Sequence, residues 1–193
     1  MNPTAPDLSI RVLITERLRR YRLFWIFHLA VLGTDQLTKL VVLHTLPKTT
    51  PGVHHGIEVI PGFFNIVHVY NEGAAWTLFK GHQGALVLLA VGALAAMYRW
   101  RKAMGLEKPF VQCVLGAFAG GAIGNVIDRL VYDHVVDFLA FHIPVINYDY
   151  PVFNVADIGI TVGAILFAWY GFRDKPAPAK AKVLPEGPFP GGS

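Results

Sequence analysis

Serine is almost absent from this sequence, with only Ser9 and Ser193, one near each end. A hydrolytic nucleophile must lie within hydrogen-bonding reach of its activator, so neither a serine/lysine nor a serine/histidine centre can be built within the apolar stretches. Cysteine is scarcer still. Cys113 stands alone, so no intrachain disulfide and no cysteine metal cluster can form, and it reads as a small apolar core residue. The eight histidines are scattered and no His-Glu-x-x-His helix exists; His54 and His55 are adjacent and poorly disposed to share a metal. Each histidine reads as a surface or interface residue. Charge is also sparse. At 193 residues with 16% charged and 53% hydrophobic content, the chain is too apolar for an ordinary soluble domain.

What is present is long hydrophobic runs. Leu23–Leu43, Gln83–Trp100, Pro109–Ile127 and Val152–Phe172 each approach the ~20 residues a helix needs to cross ~30 Å of hydrocarbon. The expected fold is an all-α polytopic membrane protein of four transmembrane helices. The first run holds Asp35 and Lys39 and is not followed by a small-residue cleavage site, so it reads as a retained anchor. Thirteen of the seventeen lysines and arginines lie before the first run, from the last turn of the second run to the start of the third, or after the fourth. Basic residues near span ends stay cytoplasmic, so both termini are expected inside. The net charge of +4 then reflects topology and a preference for anionic lipid surfaces, and no nucleic-acid signature is present. Three regions are expected: a cytoplasmic N-terminal extension (residues 1–22), a four-helix domain (23–173) and a disordered cytoplasmic tail (174–193). The first ~20 residues are also expected to lack order.

Two outward loops remain. Ile57–Tyr70 is rich in β-branched and aromatic residues around a Pro-Gly turn signal, and Phe138–Tyr150 is similar. The two are expected to pair as a small extracytoplasmic β-sheet on the membrane surface.

Ionisable groups inside a bilayer are costly and mark function or a specific partner. Asp35 and Lys39 fall in the outer half of the first run, Asn125, Asp128 and Arg129 at the outer end of the third, and Asp157 five residues into the fourth. Helices carrying such groups must turn them toward one another or a shared wet cavity. Gly116, Gly120 and Gly124 recur every four residues, a smooth face for close helix approach. Asp35 and Lys39, spaced i, i+4, either form a structural ion pair or orient a site across the bundle. Asp128 and Arg129 either pair with each other as a polar cap or serve the site, with Arg129 favoured as a substrate or lipid contact.

Carboxylates are the chemistry left by elimination. Asp137 and Asp157 are flanked by apolar sequence at the outer boundary. Two carboxylates close together in a poorly solvated pocket share one proton, the requirement of aspartic proteolysis, which needs no metal or organic cofactor. On spacing alone a second reading stands: Asp137 caps a short loop helix, and Asp157 accepts bonds from the frayed start of the fourth span.

At these residues the chain resembles the bacterial lipoprotein signal peptidase family. Asp35-Gln36-x-Thr38-Lys39, Asn71-x-Gly73-Ala74-Ala75, Gly121-Ala-Ile-Gly124-Asn125-x-x-Asp128-Arg129, Val135-Val-Asp137-Phe138 and Phe153-Asn154-x-Ala156-Asp157 are similar to its ordered boxes, and five in order are specific. Trp76 departs from the phenylalanine common after the second box. The resemblance implies a plasma-membrane endopeptidase with Asp137 and Asp157 catalytic. Its substrate would be a diacylglyceryl-modified prolipoprotein, cut before the lipidated cysteine at the outer face. It further implies that Asn71, Asn125, Arg129 and Asn154 position substrate and dyad, that Gly73 permits close backbone approach, and that Asp35, Lys39 and Asp128 support the site. Membrane lipids are the other expected partner, and a monomer is expected. Two rival readings are a small four-span transporter, which calls for polar residues through the full membrane thickness, and a noncatalytic lipid-binding scaffold.

Overall fold

The computed structural model describes residues 5–49, 56–73 and 81–174. Four helices are long and apolar enough to cross a membrane: α2 (Arg22–Thr45), α3 (Gln83–Trp100), α4 (Pro109–Tyr132) and α5 (Val155–Arg173). An additional helix, α1 (Ala5–Arg20), precedes them. The expectation of a disordered N-terminal segment is therefore corrected. The backbone ladder continues through the junction, Tyr21 N–H to Arg17 O and Trp25 N–H to Tyr21 O, both 3.1 Å. A helix that extends an existing one avoids the nucleation cost that disfavours short isolated helices. The tail beyond Asp174 lies outside the described residues.

Helix α4 is the centre of the bundle, with α2 and α5 packed on it. Glycine permits this. A Cβ at Gly116 or Gly120 would lie 2.5 Å from the carbonyl oxygen of Phe24 or His28 on α2, and one at Gly121 would lie 2.2 Å from the Ala156 carbonyl oxygen on α5. Close backbone approach of this kind is how helices associate where lipid is as apolar as leucine. Helix α3 packs chiefly on α4 and is exposed along most of its length, with Leu88 73% and Leu89 67% accessible, as suits a face turned to acyl chains.

The segments between the first and second and between the third and fourth spans form a four-stranded antiparallel sheet in the order β1 (Ile57–Ile60), β2 (Phe64–Asn71), β3 (Val135–Ile143), β4 (Tyr148–Asp149). Strand β3 begins three residues earlier than the expected Phe138. Val135, Val136, Asp137 and Phe138 are all buried, because β3 packs against α2 and α4 as well as pairing with β2. The fourth span also starts later than expected, at Val155 instead of Val152. Phe153 is held extended by bonds with Leu139, N–H to O at 2.9 and 3.2 Å in the two directions. Asp157 thus lies in the first turn of α5, about 3 Å below its start at helical rise, not the deeper position expected from the hydrophobic run. Helix α4 runs on past Ile127 to Tyr132 and ends on Asp133 in the left-handed region at φ 59°.

Candidate active site

Asp137 reaches the site from β3. Val69 lies opposite it on β2, and Asn71 lies opposite Val135, so Asn71 and Asp137 are diagonal neighbours on one sheet face. The Asn71 side-chain amide donates to Asp137 Oδ2 at 2.8 Å, while Asn71 Oδ1 accepts from the Gly73 N–H at 2.9 Å. Asp137 is 1% exposed. Burial first, and the charge of Asp157 second, push its carboxyl up to about 8; the Asn71 amide, Lys39 and the Asn154 amide pull against that shift.

Asp157 is the third residue of α5, and a capping box fixes it there. Its N–H donates to Asn154 Oδ1 at 2.9 Å, and its Oδ2 accepts from the Asn154 N–H at 3.2 Å. Its other oxygen, Oδ1, accepts from the Asn125 amide at 2.8 Å. The Asn154 amide turns the opposite way and donates to Asp137 Oδ1 at 2.7 Å. Of the alternative readings, capping by Asp157 is real but does not remove it from the site. Asp137 caps no helix; it is a strand residue. The bridge between Leu139 and Phe153 brings the two carboxylate-bearing segments side by side.

Beneath this pair lies a buried ionic group. Lys39 Nζ contacts Asp35 Oδ2 and Asp128 Oδ2, both at 2.8 Å, and donates to Asn125 Oδ1 at 2.9 Å. Asp35 Oδ1 accepts from the Ala156 N–H at 2.8 Å, and Asp128 Oδ2 accepts from the Val136 N–H at 3.1 Å. Asp128 is therefore paired with Lys39, not with Arg129. Arg129 donates to the carbonyl oxygens of Gly73 (3.0 Å) and Asn125 (3.2 Å) and to Gln83 Oε1 (3.1 Å). Asn71, Arg129 and Asp157 retain partial exposure, so the network opens to its surroundings there.

The ten residues singled out from the sequence thus join in one hydrogen-bonded network. Gln36, which donates to Asp128 Oδ1 at 3.0 Å and to the Gly124 carbonyl oxygen at 3.3 Å, was missed, although its place beside Asp35 was a signal. Gln83 was missed because it read as the start of an apolar run. Ala74, Ala75 and Trp76 lie outside the described residues. His28 and His68 are buried between packed elements: the His28 ring stacks with Phe24, and His68 Nδ1 lies 2.9 Å from the Leu46 carbonyl oxygen. Among the described residues, no group of three or more histidine, cysteine or carboxylate side chains is placed to hold a metal ion.

Residues 27–173 match the family model described as signal peptidase (SPase) II. A lipoprotein signal peptidase of Tolumonas auensis is 40% identical over 161 residues, 81% of this chain and 93% of that protein. One from Azoarcus is 42% identical over 75% of this chain and 79% of its own length, and one from Listeria monocytogenes 36% over 78% and 94%. Two bacterial membrane enzymes solved by the in meso method superpose with TM-scores of 0.69 and 0.66, at 32% and 31% identity. Each covers 77% of this chain, and this chain covers 87% and 92% of theirs.

Proposed function

The chain belongs to the signal peptidase II family of membrane aspartic peptidases, and on that premise we propose that it removes the signal peptide from diacylglyceryl-modified prolipoproteins by cutting before the lipidated cysteine. The observation that carries the reading is a pair of carboxylates, Asp137 buried on β3 and Asp157 partly exposed on α5, each met on both oxygens by N–H donors. Donors on every side favour a pair that keeps at least one negative charge, and proximity in a poorly solvated site makes the pair share one proton.

In the proposed reaction Asp137, whose carboxyl is pushed up to about 8, holds the proton near neutral pH. Asp157 takes a proton from water as the oxygen adds to the scissile carbonyl carbon, and Asp137 gives its proton to the carbonyl oxygen. The tetrahedral intermediate then collapses: Asp157 returns its proton to the leaving nitrogen, the C–N bond breaks, and a hydroxyl proton goes back to Asp137. Atoms and charge balance, and the pair is restored. Asn71, Asn125 and Asn154 hold the carboxylates, while Arg129, tied to the Gly73 carbonyl, positions the loop beside the substrate backbone.

The distribution of lysine and arginine supports cytoplasmic termini and a site near the outer face. There a substrate held by its own acyl chains would present its scissile bond. The test is cleavage of a lipidated and an unlipidated precursor by purified protein in detergent, with the new N-terminus read by mass spectrometry. A cut before the cysteine in the lipidated precursor alone is expected; cleavage indifferent to the lipid, or elsewhere, would refute the substrate assignment.

A further inference from the structure

We propose that Lys39 is the positioning residue of the site: bonded to neither Asp137 nor Asp157, its ammonium orders the three acceptors that hold the segments carrying them. The proposal rests on the reading of Asp137 and Asp157 as the reacting pair.

The argument begins with valence. An ammonium has three N–H groups and accepts nothing. Lys39 is 2% exposed, and its three donors meet three acceptors, on Asp35, Asp128 and Asn125, at 2.8, 2.8 and 2.9 Å. Each acceptor also grips a dyad segment. Asp35 takes the N–H of Ala156, next to Asp157; Asp128 takes the N–H of Val136, next to Asp137; Asn125 donates to Asp157 itself. One buried cation on α2 therefore spaces a strand residue and a helix residue that belong to separate elements.

Lys39, together with the Asn154 amide that donates to the same Asn125 oxygen at 3.2 Å, sets which way the Asn125 amide faces. Its carbonyl oxygen must turn toward a partner that only donates, so the NH2 turns toward Asp157. Reversal would oppose NH2 to ammonium and carbonyl oxygen to carboxylate, two repulsive contacts in a low dielectric. Asn71 and Asn154 are oriented by backbone donors, the N–H groups of Gly73 and Asp157, which no substitution short of proline removes. For Asn125 the lock is made by side chains, and so it can be tested.

The charges that act on Asp137 include Asp157 from α5, Lys39 from α2 and Arg129 from α4, with Asn71 and Asn154 as hydrogen-bond donors; Asp128 lies beside them on α4. Removing the Lys39 charge removes one of the influences that favour the ionised carboxylate.

The test uses the full chain in detergent with a diacylglyceryl-modified precursor. Lys39→Met keeps an unbranched chain, one atom shorter, and removes the donors. A second variant, Asp35→Asn with Lys39→Met, keeps the net charge of the Asp35–Lys39–Asp128 group unchanged, so that the additional buried negative charge left by Lys39→Met does not decide folding. In each folded variant kcat is expected to fall at least 100-fold with KM within about threefold, and in Lys39→Met the pH profile of residual activity should move upward by roughly one unit. A folded variant keeping kcat within threefold of wild type overturns the proposal. So does activity lost only in proportion to the folded fraction, or a double variant that does not fold, since Lys39 would then serve bundle stability alone. A wild type that leaves the lipidated precursor intact overturns the functional reading itself, and this proposal with it; the control shows this before any variant is compared.

Discussion

Asn154 donates its side-chain amide to Asp137 at 2.7 Å, and with its other side-chain atom it caps the helix that carries Asp157. One residue thus sets both the donor environment of one carboxylate and the position of the other. Asn154→Ala should lose cleavage by more than 100-fold and, through the lost cap, about 1 kcal/mol of stability. Asn154→Asp should retain the cap, because a carboxylate oxygen accepts the Asp157 N–H equally well, yet remain inactive, because the donor to Asp137 has become a third acidic group. Thermal unfolding beside a cleavage assay separates the two effects; an active Asn154→Asp would show that the amide donor is dispensable.

The pH dependence of stability follows from Asp137. Its folded carboxyl is raised to about 8 from a reference of 3.8, so between these values the folded state binds a proton that the unfolded chain has released. Its contribution is whole below about pH 4, declines as pH rises, and is gone above about pH 8. Asp137→Asn removes the ionisation, so the variant should unfold at a higher temperature than wild type at pH 9 and at a similar temperature at pH 4. The difference at high pH should be on the order of a few kcal/mol. Scanning calorimetry in detergent at the two pH values checks the sign, and equal differences at both would contradict it.

Gly121 and Gly124 lie three residues apart on adjoining surface of α4, where their nearest neighbours are Ala156 on α5 and Asp35 on α2 respectively. An added Cβ would lie 2.2 Å from the Ala156 carbonyl oxygen at Gly121 and 2.5 Å from Asp35 Oδ2 at Gly124. Alanine at either position should destabilise by about 1–3 kcal/mol through overpacking and depress activity by displacing the start of α5 or the Asp35 carboxylate. Gly171, with nothing within 4 Å of its added Cβ, is the control: Gly171→Ala should be neutral or stabilising by up to about 1 kcal/mol from helix propensity alone. Melting curves of the three variants decide the matter.

Arg129 holds the Gly73 and Asn125 carbonyls and Gln83 through separate nitrogens of its planar fork. Lysine cannot reproduce that geometry. Arg129→Lys should lower kcat/KM by about 10- to 100-fold with little change in unfolding temperature, a loss of about 1.4–2.7 kcal/mol of transition-state binding. Steady-state kinetics give the answer, and full activity would remove Arg129 from the site.

The four spans could be read from the sequence because run length and apolar content are properties of consecutive residues. The sheet was legible for a similar reason, since β-branched and aromatic residues around Pro61 and Gly62 are local signals. The convergence of Asp35, Lys39, Asn125, Asp128 and Asp157 could be anticipated because charges in lipid must find one another. The partners within that convergence could not. Asp128 pairs with Lys39, not with its neighbour Arg129, because helix crossing, invisible in the chain order, decides who meets whom. The late start of α5 depended on the Leu139–Phe153 bridge, a contact between distant segments. Helix α1 was missed because its composition is polar, and its order follows from continuity with α2.

The central claim, that Asp137 and Asp157 together cleave the lipidated precursor, is tested most directly by purified Asp137→Asn and Asp157→Asn proteins beside wild type, with folding verified by thermal unfolding. Both isosteric variants should fold and bind the diacylglyceryl-modified precursor yet cut it at least 1,000-fold more slowly, as expected when a group needed only in the transition state is removed. Cleavage at the wild-type rate by either folded variant would contradict the account.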